Sequence, residues 1–126
     1  MSIRFTLYGD VPSKKNQRIL TMIHGRPMSL PSKNYKLWHK EASRQLQTLN
    51  IAPVTSACFI SLMFYSSTKR KADLSNKVES VNDLLVDNGI LEDDNWECLP
   101  KTGVEYGGHD KNNPRVEITI LPYERA

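Results

Sequence analysis

Apolar and polar residues alternate over residues 3–8, with Ile3, Phe5 and Leu7 set against Arg4, Thr6 and Tyr8. That period of two predicts a half-exposed strand. Gly9-Asp10 and Pro12-Ser13 end it and open a polar, basic loop, Lys14-Lys15-Asn16-Gln17-Arg18. Residues 18–23 and 26–30 suit a hairpin turning at His24-Gly25. The spacing then lengthens. Tyr35, Trp38, Ala42, Leu46 and Leu49 recur every three or four residues, which predicts a helix over 32–49 capped by Ser32 after Pro31. Lys33, Lys36, Lys40 and Arg44 run along another side of it.

Residues 50–55, with Pro53, read as a connection. Residues 56–66 are aromatic and branched and predict a central strand. A second helix is expected from Ser75 or Asn76, where Asn76 and Glu79 have capping-box spacing. Leu74, Val78, Val81 and Leu85 mark its inner face, and Asn88-Gly89 its end. A strand over 95–105, a turn region over 106–114 and a closing strand over 115–121 complete the pattern. The order predicts a single domain over 1–126 of α/β (α+β) class, a mixed β-sheet packed with two main helices.

Composition supports a globular chain and narrows its chemistry. The 126 residues are 39% hydrophobic and 25% charged. The longest apolar run, near 57–64, is too short to span a bilayer, and no signal-type segment opens the chain, so a soluble cytoplasmic protein is expected. The cysteines, Cys58 and Cys98, lack the spacing of a redox or zinc pair, and Cys58 reads as a core residue. His24, His39 and His109 are isolated in sequence and read as phosphate contacts or as residues of no special role.

The formal charge of +3 hides a division. Residues 1–50 hold nine Lys or Arg and two acids, whereas 51–126 hold eight and twelve. A basic first half suits an anionic partner, or only a solvated surface. In the second half, Lys69-Arg70-Lys71 is followed by a stretch, 73–97, with eight acids and one lysine, Lys77. Gathered carboxylates repel, and a divalent cation with oxygen-rich coordination relieves the repulsion. Such an ion can activate water and stabilise a leaving oxygen in phosphodiester hydrolysis. Asp73 and Asp94 are the candidate ligands, with Asp93 beside the second and Glu79 at the edge of the helix's apolar face. Asp87, Glu92 and Glu97 read as solubilising surface charge. Helix length alone does not bring Asp73 and Asp94 together; the chain must loop back for them to meet.

The run Asp73-Leu74-Ser75-Asn76, then Asp83-Leu84-Leu85, Gly89 and Asp93-Asp94, resembles the central motif of the RusA-like Holliday junction resolvases, small endodeoxyribonucleases of phages and prophages. The opening strand with its Pro-Ser loop and the closing Val116-Glu117-Ile118-Thr119-Ile120 are similar to the ends of that family. The resemblance implies a homodimer that binds Mg²⁺, or Mn²⁺ in its place, and nicks four-way DNA junctions in recombination and repair. It implies that Asp73 and Asp94 are the first and last catalytic aspartates and that Asn76 is the motif asparagine. Two positions depart from the family pattern: Ser75 stands where a second aspartate is usual, and Glu79 where many members have lysine. The expectation is that Glu79 restores the missing carboxylate and Lys77 supplies the positive charge. Lys14, Lys15, Arg18, Lys69, Arg70, Lys71 and Asn76 are the expected DNA contacts, and Lys33, Lys36, Lys40 and Arg44 the second choice. The alternative is a branched-DNA-binding protein with lost or altered catalysis.

Overall fold

The computed structural model describes residues 2–13, 18–23, 26–31 and 33–124. Eight elements follow in chain order: β1 (Ile3–Tyr8), β2 (Arg18–Ile23), β3 (Arg26–Pro31), α1 (Lys33–Leu49), β4 (Cys58–Ser66), α2 (Leu74–Asp87), β5 (Lys101–His109) and β6 (Arg115–Pro122). Four strands form one mixed sheet in the order β1-β6-β4-β5, and β2 and β3 pair separately as the expected hairpin. Within the four-stranded sheet, β1 and β4 run antiparallel to β6, and β5 runs parallel to β4. A parallel pair needs a crossover, and α2 supplies it. The fold is thus α+β, with two helices accompanying a mixed sheet.

The alternation read from the sequence sets the inner face of the sheet. Leu7, Ile60, Leu62, Phe64, Val116, Ile118 and Ile120 are all buried. Against them lie Val81, Leu84 and Leu85 of α2 and Tyr35, Trp38, Ala42 and Leu46 of α1. Full burial of one such side chain contributes about 1.5–3 kcal/mol. Leu49, expected on the inner face of α1, is exposed at the last helical position. Cys58 is a buried free thiol, as its apolar surroundings suggested, and burial pushes its pKa up. No helix among the described residues is long and apolar enough to cross a membrane.

Two boundaries differ from expectation. Helix α2 starts at Leu74, with Asp73 as its N-cap in extended conformation and no side-chain cap bond. Asn76 is therefore the third helical residue, and the Asn76–Glu79 capping box does not form. At the other end Gly89, at φ +73, closes the helix: Gly89 N donates to Val86 O and Ile90 N to Leu85 O, the paired bonds of a Schellman motif.

The fifth strand is displaced further. It begins at Lys101, not near residue 95, because Asn95 ties residues 95–99 into a turn. The Asn95 Oδ1 accepts from Glu97 N at 3.0 Å and Cys98 N at 3.1 Å, and the Asn95 carbonyl accepts from Leu99 N. Such local side-chain bonds compete with a sheet ladder. The strand runs on through Tyr106-Gly107-Gly108, expected as a turn. There the β4 register shifts between Phe64 and Tyr65, and a Cβ on Gly107 would lie 2.5 Å from the Tyr65 ring. Glycine here serves close approach within a strand.

Candidate nucleic-acid interface

A cleft of about 540 Å³ opens at the C-terminal end of β4, against the start of α2. Its floor is held by Asp10, just beyond β1. Asp10 Oδ1 accepts from Ser67 N at 2.9 Å, and Ser67 Oγ donates to Asp10 Oδ2. Ser66 Oγ donates to Thr68 O at 2.7 Å and also meets Tyr106 Oη at 2.9 Å. His109 Nε2 lies 3.0 Å from Ser67 O, so the proton of this bond resides on the ring. These contacts anchor residues 66–68 directly beneath Lys69, Arg70 and Lys71, which line the cleft and are exposed. The three make no ion pair with another described residue.

Lys77 also lines this cleft but is turned inward, its Nζ donating to Val11 O at 2.6 Å. Burial pulls its pKa down, and the nearby Asp10 charge acts against that shift. One turn on, the fully buried Ser80 donates from Oγ to Pro12 O at 2.7 Å. Lys77 and Ser80 thus pin the segment after β1 to α2, and through Asp10 to the turn after β4. Asp73 stands exposed at the mouth of the helix, where unpaired N–H groups favour an anion.

The expected carboxylates are distributed along the layer. Glu79 is exposed on the second turn of α2, four residues from exposed Ser75. Asp93 and Asp94 are exposed in the segment after the helix, where Asp93 Oδ1 accepts from Asp94 N at 2.7 Å. That segment is fastened to the opposite end of β4: Val54 N donates to Ile90 O and Cys58 N to Cys98 O. About 20 Å of helix separates this end from Asp73. One protomer therefore does not bring Asp73 together with Asp93 and Asp94, and the loop-back needed for a single-protomer site is absent. Among the described residues, the metal-type side chains that do converge are His39, Asp83 and Asp87.

The expected DNA contacts divide similarly. Lys69, Arg70 and Lys71 share the cleft. Asn76 is only 8% exposed, so it does not present its amide to a ligand. Lys14 and Lys15 lie outside the described residues, as does the side chain of Arg18. Lys33, Lys36, Lys40 and Arg44 are exposed on α1, with Arg44 bound to Glu41 at 2.8 Å. Sequence reasoning missed Asp10, whose partner is 57 residues away, and the solvent-facing Trp96, 84% exposed beside Asp93-Asp94. No local pattern in the sequence marks Trp96 as solvent-facing, and nothing in it pairs Asp10 with Ser67.

A scan against protein-family models matches none of them, and no curated protein is found similar to the chain.

Proposed function

We propose that the protein is a metal-dependent endonuclease of branched DNA, four-way junctions above all, acting as a homodimer. The observation that carries this reading is the cleft at the head of α2, lined by three exposed cations, Lys69, Arg70 and Lys71, which stand in the chain just before the exposed N-cap residue Asp73. Lys69, Arg70 and Lys71 bind backbone phosphates without reading sequence. Their contacts hold a phosphodiester beside Asp73, and the helix N-terminus favours the same negative charge.

The exposed carboxylates suit a hard divalent ion such as Mg²⁺, for which Mn²⁺ can substitute. When bound, the ion supplies charge neutralisation at the phosphate oxygens and a more acidic water. Asp73 and Glu79 would hold it from one protomer. Asp93 and Asp94 would complete it from a second copy. A two-fold pairing with the α2 helices antiparallel would bring Asp73 of one copy toward Asp94 of the other, and symmetry would repeat the site. Two equivalent sites match two nicks in opposed strands. Ser75 removes a carboxylate from the head of the helix, and Glu79, one turn along, is the nearest replacement on that side.

The deciding assay uses a labelled four-way junction with Mg²⁺, Mn²⁺ or EDTA, and a linear duplex of the same sequence. Paired nicks that need the metal and are lost in Asp94→Asn are the expected result. Cleavage of the duplex at equal rate would defeat the junction preference. In the same assay Glu79→Gln is expected to abolish Mg²⁺-dependent nicking; near-normal nicking assigns Glu79 to the surface.

A second reading is favoured by Ser75 itself: a branched-DNA-binding protein that has lost catalysis. It predicts tight junction binding and intact strands with every divalent metal. Both readings share one expectation. Replacing Lys69, Arg70 and Lys71 together by Gln weakens junction and duplex binding alike. The slope of log K against log salt then falls by about 2–3, the share of three released counterions. An unchanged salt slope in a binding titration removes the cleft from the DNA interface.

A further inference from the structure

Helices α1 and α2 are joined by a ladder of polar contacts from three α1 residues one turn apart to Asp83, Asp87 and the C-cap Asn88 of α2. Tyr35 Oη donates to Asp83 Oδ2 at 2.5 Å, His39 Nε2 lies 2.8 Å from Asp87 Oδ2, and Asn88 Nδ2 donates to Ser43 Oγ at 3.0 Å. In the middle of this ladder one nitrogen of His39 and one carboxylate oxygen each of Asp83 and Asp87 lie within 4.8 Å of one another. We propose that His39, Asp83 and Asp87 form a binding site for a transition-metal ion, Zn²⁺ first, that clips α1 to α2.

Three features carry this. The donor set mixes one imidazole nitrogen with two carboxylate oxygens, which suits a borderline ion such as Zn²⁺ better than Mg²⁺, whose preference is for oxygen. The donors are also held from behind. Tyr35 fixes the Asp83 carboxylate, and the Tyr35 and His39 rings pack at 5.8 Å between centroids. Ser43 Oγ lies 3.5 Å from His39 Nδ1, placed to take the proton of that nitrogen while Nε2 ligates. Metal-binding histidines and carboxylates are oriented by such outer contacts. Solvent has access, since the side chains of His39 and Asp87 are 27% and 50% exposed. The site lies on the seam between the helices and shares no residue with the basic cleft.

The test uses full-length, metal-free, untagged protein in which His24 and His109 are changed to Gln. His39 is then the only imidazole, since the chain has three histidines. Zn²⁺ is titrated while the ring ¹⁵N shifts are followed by NMR, and calorimetry gives stoichiometry. The expected result is one ion per protomer, a large shift of one ring nitrogen, and a rise in melting temperature. His39→Gln and Asp87→Asn should each weaken binding at least about a hundredfold, and Tyr35→Phe about tenfold. Asp73→Asn and Asp94→Asn should bind Zn²⁺ as before, which separates this site from the proposed nuclease centre. A ring spectrum unmoved by Zn²⁺ overturns the proposal in the unaltered seam, whether or not the ligand variants fold. Equal Zn²⁺ affinity in folded His39→Gln overturns it too.

Discussion

Mixing the Asp73→Asn protein with the Asp94→Asn protein is expected to restore nicking that neither performs alone. Each variant by itself should lose about a hundredfold or more in nicking rate, the scale of removing one charge-stabilising group from an active site. The structure sets these two acids at opposite ends of the β4–α2 layer, so a site that uses both draws them from two copies. A mixed dimer then carries one intact site and one that is doubly impaired. With free exchange of subunits, about a quarter of wild-type nicking returns. Exchange is checked by native mass spectrometry of the mixture. Exchange without recovered nicking means that the two acids do not serve one site across a dimer.

Leu84→Ala is expected to have the largest effect on stability. Leu84 is fully buried in the same core cluster as Trp38 and Ile118. Its loss leaves a cavity and costs about 2–5 kcal/mol. In a domain of this size that lowers the melting temperature by roughly 10 °C or more. Val78→Ala, at a partly buried position of the same helix, should cost less than half as much. Urea denaturation of both proteins gives the comparison. Equal losses would mean that α2 is seated by its polar bonds to Val11, Pro12 and Tyr35 and not by its apolar face.

Periodicity carried most of the fold. The inner face of α1 through Tyr35, Trp38, Ala42 and Leu46, and the alternation of β1 and β6, depend on local spacing, which a sequence displays. The errors arose where a local motif had a rival explanation. Asn76 and Glu79 have the spacing of a cap, yet the helix starts two residues earlier because Leu74 joins the core. Gly107-Gly108 looks like a turn, and only the ring of Tyr65, from another strand, explains why glycine is needed there. The site was legible in part. The basic run before Asp73 is visible as charge, and the cleft it lines lies where the loop before α2 was expected. That Asp73 and Asp94 stand a helix length apart was legible; that the chain does not loop back was not, because it follows from bonds between the segment after α2 and the start of β4. His39 was read as a phosphate contact or a residue of no special role, and Asp87 as solubilising surface charge. They are 48 positions apart, and no local pattern links them.

The pairing of Ile3 with Ile120 joins the two ends of the described chain, and β6 lies between β1 and β4. The last strand of the described chain is thus an interior strand of the sheet. During synthesis β1 has no neighbour until residues 115–122 leave the ribosome, and β4 meanwhile has one side bare. The β4-α2-β5 unit can assemble early, but the sheet closes only once residues 115–122 pair with both β1 and β4, with a long loop to close. Folding is therefore expected to be slow for a domain of this size, and nascent protein passes through a stage with an open apolar strand, when chaperone capture matters most.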